Sequence, residues 1–216
     1  MSKSALPGIG RTGIPPAIYL LLALATSTLM AGCGPHVYIH PSPGLDLINK
    51  MAVMPFDNLT KDDKAAEKVR NGFVIETLRT GSFNVIDTGE TDRLLQAAGL
   101  SYNVPDTGVS ATIEEEAAAS TPLSKRIGDA LGVQAIIVGS VEAYSAERVG
   151  DQVRPEVSIS ARLIDAETGI IIWGSTHTRR GGAGFPIFGW GKTTSLSVMS
   201  QKVIQDMVNS LAKYAP

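Results

Sequence analysis

The spacing of apolar residues predicts alternating strands and helices in the first half of the domain. Short apolar runs at Met51–Phe56 and Phe83–Ile86 are typical of buried strands. Apolar residues recur at helical spacing between Asp62 and Arg79, and Gly81 is placed to end that helix. A shorter helix is predicted from Glu90 to Ala98. This strand–helix–strand unit is typical of an α/β layer.

The second half predicts three consecutive strands and a closing helix. Gln134–Tyr144 begins apolar on both faces, as a central strand does. Glu156–Leu163 alternates between apolar and polar side chains, and hairpin chemistry joins it to a return strand at Ile170–Trp173. Helices are predicted at Pro122–Leu131 and from Leu196 to about Tyr214. We therefore expect the fold class α/β (α+β), a mixed β-sheet of about five strands with helices packed against it.

The amino terminus has the character of a secretory signal. A charge-free run of fifteen residues, Ala17–Ala31, follows Lys3 and Arg11, and it is short for a membrane-spanning helix. The run leads into Met30-Ala-Gly-Cys33, which resembles a bacterial lipobox, where the thiol is alkylated with diacylglycerol and the chain is cut before the cysteine. The alternatives are a plain signal peptide followed by an incidental cysteine, or a short membrane helix.

Lipidation of Cys33 would decide the location of the mature chain. Two or more acyl chains, such as palmitate, anchor a protein stably, whereas one binds only marginally. Position 34 is glycine and not aspartate, which by resemblance to Gram-negative sorting rules implies the outer membrane, with the domain in the periplasm. The predicted organisation is a signal peptide over 1–32, lipidated Cys33 with an extended Pro/Gly tether over 33–47, and one α/β domain over 48–216. Within the domain we expect a mobile insertion at 101–121 and a Gly/aromatic loop at 179–193.

Composition and charge exclude several classes of function. The 21 acidic and 19 basic residues give a formal charge of −2, without the concentrated basic face that nucleic acid would need. A single cysteine rules out an internal disulfide framework and a multi-cysteine metal site. His36 and His40 lie among prolines that disfavour a helix, so we expect no metal there. His177 is expected at a solvent-facing strand position, and no nucleophile–base arrangement stands out, so we expect neither an enzyme nor a cofactor.

The Gly/aromatic loop is the most unusual stretch of the chain. Glycines and a proline separate its large apolar residues, which rules out a regular element, and aromatic residues on loops are frequent contact anchors. If exposed, they would touch a partner protein or the bilayer, and flanking basic residues suit anionic headgroups or an acidic partner patch. The alternative is that they fold back as a lid on the core. The candidate contact residues are Phe185, Ile187, Phe188, Trp190, Arg179 and Arg180.

Four landmarks appear in order behind the lipobox: Lys50–Asn58, Gly81–Asp87, Leu131–Ser140 and Ala161–Trp173. In this order they resemble the envelope lipoprotein superfamily that includes curli-secretion CsgG, the penicillin-binding-protein activator LpoB and the amino-terminal domain of TolB. The resemblance covers about residues 48 to 178. It implies a non-enzymatic periplasmic domain that acts through protein contacts.

Members of this superfamily differ in function, and two readings follow. The favoured one is a regulator or assembly factor, for cell-wall synthesis or a surface or secretion apparatus, with an envelope protein partner and homo-oligomerisation left open. The alternative is a component of an oligomeric, CsgG-like outer-membrane secretion channel. A strand that crosses a bilayer needs about 9–11 residues. Ser145–Arg154 offers ten residues, four of them charged, and Ser175–Thr194 is interrupted by glycines and a proline, so the channel is disfavoured.

Overall fold

A computed structural model describes residues 35–42, 44–100, 121–149, 152–181 and 195–215. Within these ranges one mixed sheet of seven strands packs with four α-helices. The predicted fold class is confirmed. The strands are β1 (His36–Ile39), β2 (Lys50–Val53), β3 (Asp57–Asn58), β4 (Asn84–Val85), β5 (Ala135–Val149), β6 (Gln152–Asp165) and β7 (Ile171–Arg180), and the helices are α1 (Ala65–Thr80), α2 (Thr88–Ala97), α3 (Leu123–Leu131) and α4 (Leu196–Ala212).

The sheet has a parallel part and an antiparallel part. Its strand order is β1-β7-β6-β5-β2-β4, and β3 also pairs with β5, just beyond β2. The pairs β5–β2, β2–β4 and β5–β3 are parallel, whereas β5–β6, β6–β7 and β7–β1 are antiparallel. The parallel pairs require crossover connections, which α1 to α3 and their loops supply, while hairpins join β5 to β6 and β6 to β7.

Two hydrophobic clusters form on opposite faces of the sheet. Alternation along β2 sends Met51 and Val53 into the larger cluster and Ala52 into the smaller one. In β5, Ile137 belongs to the larger cluster and Ile136 to the smaller one. Helices α1 and α4 cover the first face, and α2 and α3 cover the second, which accounts for the continuous apolar runs of these strands.

Short-range signals fix the helix ends. The side chain of Asp87 accepts hydrogen bonds from the backbone amides of Gly89 and Glu90, which caps α2. Gly81 follows α1 with φ of 73°, the left-handed conformation that glycine adopts without steric cost. The helix end predicted at Gly81 is therefore observed.

Several strands differ from the predicted ones. Residues His36–Ile39, which the sequence places in the tether, form β1 and pair antiparallel with β7. β3 is a further strand, which the pattern of apolar residues did not predict. β5, β6 and β7 are each longer than predicted, and β5 and β6 run through most of the Ser145–Arg154 segment. The hairpin continues only four residues of β6 beyond Glu156, the partner of Arg180, which is fewer than the roughly 9–11 that a bilayer-crossing strand needs.

Candidate interaction surfaces

The inner face of β7 carries a buried polar cluster against α4. His177 is only 2% exposed, and its Nε2 atom lies 3.2 Å from Asp206 Oδ2 on α4. Arg179 bridges the pair, since its Nε donates to His177 Nε2 at 3.3 Å and its Nη2 donates to Asp206 Oδ2 at 3.0 Å. The expectation of a solvent-facing His177 was wrong. The alternation that points Trp173 inward continues through Ser175 to His177, because β7 extends to Arg180.

Burial controls the protonation of this histidine. Loss of solvation lowers the pKa of His177 below its ordinary value, and the positive charge of Arg179 and the proximity of His36 lower it further. The Asp206 carboxylate acts in the opposite direction and raises the pKa, but burial is the larger effect. One ring nitrogen cannot both accept from Arg179 and donate to Asp206, so when Nε2 accepts from Arg179 the carboxylate is held by Arg179 Nη2 alone. The cluster is therefore a neutral histidine beside a compensated Arg–Asp pair, and it ties β7 to α4.

The cluster does not form a nucleophilic site. Ser175 lies two residues before His177 on the same face of β7, but its hydroxyl is buried and has no hydrogen-bond partner. A nucleophile needs both a base within hydrogen-bond reach and access to substrate. In the ranges that the structure describes, no three histidine, cysteine, aspartate or glutamate side chains meet as metal ligands would.

The carboxyl end of β7 carries both predicted basic contact residues. Arg179 is half-buried and held by Asp206, whereas the side chain of Arg180 is 76% exposed and its Nε donates to Glu156 Oε1 at 2.7 Å. Each arginine thus has an acidic partner, which reduces the positive charge that the sequence suggested for this end of the sheet. Their proposed contact with a partner or a bilayer stays a prediction.

The outer face of the antiparallel half is polar. Side chains of β6 and β7 point away from the core in register, where Ser158 faces Thr178 and Ser160 faces Thr176. Ser158 Oγ donates to Glu142 Oε2 at 2.9 Å and lies 2.7 Å from Thr178 Oγ1. Ser160 Oγ lies 3.1 Å from Thr176 Oγ1. These pairs form two short rows of hydroxyl groups on a face that the described helices leave uncovered.

A groove runs between α1 and α4 on the opposite side. It has a volume of about 260 Å³ and is lined by apolar side chains that include Ile75 and Ile204, with Lys68 at 5.3 Å from the ring centre of Tyr144. Ile75 is 63% exposed, and Leu78, one turn further along α1, is 50% exposed. Exposed apolar side chains beside a groove are a frequent feature of protein contact surfaces. Sequence reasoning missed this groove, because it counted Leu78 among the core-facing residues of the helix and did not consider Ile75.

The other predicted site residues lie outside the described residues: Cys33, Phe185, Ile187, Phe188 and Trp190. Among the helices that the structure describes, none combines the length and the apolar character that a membrane span requires.

Comparison with known proteins supports the fold. No protein-family model and no curated protein sequence matches the chain. Solved structures do match. The PelC dodecamer from Paraburkholderia phytofirmans has a TM-score of 0.53 at 16% identity, covering 82% of this chain and 96% of PelC. Lipoprotein GNA1162 from Neisseria meningitidis has a TM-score of 0.51 at 16% identity, covering 76% and 99%.

A weaker likeness involves the C-terminal domain of LpoB from Salmonella enterica, with a TM-score of 0.41 at 15% identity, covering 74% of this chain and 93% of that domain. At such identities the likenesses concern the fold. The predicted resemblance is confirmed for the fold, which the chain shares with PelC and with lipoprotein GNA1162.

Proposed function

We propose that the chain is a lipid-anchored envelope protein whose α/β domain works in the periplasm through protein contacts and not through catalysis. Its anchor is the diacylglycerol-modified Cys33, and its location is the outer membrane. Its role is that of a regulator or assembly factor for cell-wall synthesis or for a surface or secretion apparatus. The observation that carries the proposal is the domain fold, which the chain shares with a lipoprotein, downstream of the lipobox-like Met30–Cys33.

The arrangement of the described polar groups supports a non-catalytic role. The histidine of the domain core is enclosed between β7 and α4, beside the Arg179–Asp206 ion pair that joins these two elements. The surface features are instead those of contact surfaces: an apolar groove beside Ile75, and a partly exposed polar face on β6 and β7. The aromatic residues of the Gly/aromatic loop, Phe188 and Trp190 among them, are further proposed contact residues.

The anchor is tested first. Cells expressing the wild-type chain or Cys33→Ser are fed a clickable palmitate analogue, and the envelopes are fractionated and washed with carbonate. The wild type is expected to incorporate the label, to show the mass of a mature chain starting at a lipidated Cys33, and to stay with outer membranes. The serine variant is expected to lose the label and the carbonate-resistant fraction. A wild-type chain without lipid would contradict the proposal.

The contact role is tested with photo-crosslinking residues in living cells. The probe replaces Ile75 in the groove or Phe188 in the loop, and the matched control replaces Arg93, an exposed residue of α2. A protein-specific crosslinked band from either surface, absent from the control, is expected. Hydrolysis of an envelope substrate by the purified domain, abolished by His177→Gln, would overturn the non-catalytic assignment.

A second candidate is a component of an oligomeric secretion channel. It is favoured by the long β5–β6 hairpin and by the fold likeness to PelC, which was solved as a dodecamer. Mass photometry of the detergent-extracted protein separates the two. A monomer or small complex agrees with the regulator, and a closed ring of a dozen or so subunits would favour the channel.

A further inference from the structure

Very little chain separates the proposed anchor from the folded sheet. β1 begins at His36, only three residues after Cys33. An extended chain spans at most about 3.6 Å per residue, so this connection is no longer than about 11 Å. The tether predicted over 33–47 is therefore not available as a spacer, because β1 is already hydrogen-bonded to β7. A lipid on Cys33 would hold the β1 edge of the domain next to the bilayer.

The direction of β1 identifies the end of the sheet that lies closest to the membrane. β1 is antiparallel to β7, with His36 beside Thr176, so the chain before His36 leaves the sheet toward Arg180. This connection back to Cys33 is three residues long. Measured along β7 from Thr176, it can therefore reach no further than about the level of Arg179. The same end of the sheet carries the hairpin of β5 and β6, since Arg180 pairs with Glu156 and β6 begins four residues beyond, at Gln152.

The hairpin extends past the anchor. Four residues of β6 beyond Glu156 span about 13 Å at the usual strand rise. On its other edge β5 has its last partner in β3 at Val141, so the strand continues to Val149 without a third strand beside it in the described part of the chain. We call the described part of this projection the hairpin arm, Ser145–Arg148 together with Val153 and Arg154. The arm reaches further toward the membrane than the tethered residue can.

The side chains of the hairpin arm are suited to headgroups and not to hydrocarbon. Ser145 to Arg148 and Arg154 are exposed, and Glu147 stands opposite Arg154 in the strand register. Charged groups are costly in the bilayer core, so an arm that projects past the anchor cannot point into the membrane along its normal. It has to lie along the surface, where charges of both signs meet phosphate and amine groups.

We propose that the hairpin arm lies against the lipid headgroups of the membrane that anchors the protein, with the β6–β7 turn at the opposite end of the sheet directed away from it. This rests on the lipidation of Cys33 in the proposed function. The short covalent connection fixes the arrangement, so we expect it to persist at high salt, where contacts between charges are screened. Partner proteins then approach from the turn end or from the helical faces.

The test compares a label on the hairpin arm with a label in the β6–β7 turn at the opposite end of the sheet. The lipidated protein has the sulfur of its only cysteine in a thioether, so Arg154→Cys or Glu167→Cys provides one reactive thiol for a bimane fluorophore. From Arg154 to its end at Asp165, β6 spans about 36 Å, and Glu167 lies two residues further on, in the turn. The labelled proteins are placed in phosphatidylethanolamine vesicles with or without phosphatidylglycerol and with a headgroup-attached nitroxide lipid. At least threefold stronger quenching at position 154 is expected in both, at low and high salt.

A variant with a longer connection between Cys33 and β1 tests whether the short connection causes this orientation. About twenty Gly/Ser residues inserted between Gly34 and Pro35 add about 25 Å of flexible chain. This variant is expected to co-sediment with vesicles as before, while quenching at position 154 falls to the level of position 167. Equal quenching at the two positions without the insertion would overturn the orientation. Unchanged quenching with the insertion would overturn the tether-length argument. If the mature chain carries no lipid by mass, the proposed function and this inference both fall, whereas a lipidated chain that quenches equally refutes this inference alone.

Discussion

The two halves of the sheet use their faces differently. In the parallel half, adjacent residues of β5 such as Ile136 and Ile137 are both buried, one in each hydrophobic cluster. In the antiparallel half, Leu163 of β6 is fully buried while its neighbour Arg162 is exposed. Helices lie on both sides of the first half, whereas in the described part of the chain α4 is the helix that packs on β6 and β7.

The two halves of the sheet therefore contribute differently to the stability of the fold and to binding. A strand buried on both faces contributes apolar burial at each residue and has no surface left for a partner. The antiparallel half contributes burial at every second residue and keeps the alternate positions free. The proposed contacts with lipid and with a partner protein are accordingly sought in and around the antiparallel half and on the exposed helical groove.

The largest expected effect comes from alanine substitutions at adjacent positions. Ile136→Ala and Ile137→Ala should each lower the free energy of unfolding by about 2–5 kcal/mol, because each leaves a cavity in a buried cluster. Leu163→Ala should cost a similar amount, whereas Arg162→Ala should change stability by less than about 0.5 kcal/mol. Urea unfolding followed by circular dichroism measures all four. A costly Arg162→Ala would show that the outer face of β6 is covered.

Two glycines test how closely neighbouring elements pack, one between two strands and the other between two helices. A Cβ atom at Gly139 of β5 would lie 2.4 Å from the Ser160 carbonyl oxygen, a backbone atom that cannot move alone. At Gly72 of α1 the nearest atom, at 2.6 Å, is the terminal Cδ1 of Ile204, which can rotate away. Gly139→Ala is therefore expected to destabilise by about 1–3 kcal/mol.

Gly72→Ala is the matched control for this substitution. Its steric cost is offset by a gain in helix propensity of about 1 kcal/mol, so its net effect should be under about 1 kcal/mol in either direction. Both values come from the midpoint and slope of urea unfolding. Equal destabilisation by the two substitutions would mean that α1 and α4 pack as rigidly as the strands do.

Much of the fold could be predicted because local patterns and burial agree. The alternation in β6 placed Val157 and Ile159 on the inner face, and both are fully buried. The double-sided apolar start of β5 identified a central strand, and Gly81 identified a helix end. These signals lie within a few residues of one another, so sequence reasoning can use them.

The missed features depend on long-range contacts. β1 has mostly exposed side chains and gains its place from backbone pairing with β7, about 140 residues later. His177 is followed and preceded by threonines, and its burial depends on Asp206, 29 residues away on α4. The sequence did contain a sign of this burial, since Trp173, Ser175 and His177 occupy every second position, as residues on one face of a strand do. Because two of the three are polar, the pattern did not suggest that the strand continues past Trp173.

An intermediate effect is expected from pH, through the buried polar position of the antiparallel half. The folded-state pKa of His177 lies below its value in the unfolded chain, about 6.5, because burial disfavours the imidazolium. Below pH 6.5 the unfolded chain therefore binds more protons than the folded one, and stability falls as the pH falls. The slope from this residue is at most about 1.4 kcal/mol per pH unit. Urea midpoints between pH 7.5 and 5 measure it.

Two variants of the cluster of His177, Arg179 and Asp206 test the direction of this pH dependence a second time. His177→Gln removes the titrating group, so its stability should depend less steeply on pH over the same range. Asp206→Asn removes the carboxylate that raises the pKa of His177, so the decline should extend to lower pH. If His177→Gln leaves the slope unchanged, other groups cause the pH dependence, and the cluster holds β7 to α4 without responding to protons.

The smallest effect is expected on the outer face, from the hydroxyl pair of Ser160 and Thr176. Their oxygens lie 3.1 Å apart on neighbouring strands, and both side chains are half-buried. Ser160→Ala and Thr176→Val should each cost only a few tenths of a kcal/mol, because water replaces the lost partner, and their coupling in a double-mutant cycle should be below about 1 kcal/mol. Ile159→Ala, one residue away on the inner face, should cost several times more. A strong coupling between the two hydroxyl groups would mean that water does not reach this pair. The polar face of β6 and β7 would then be part of the folded core and could not serve as a contact surface.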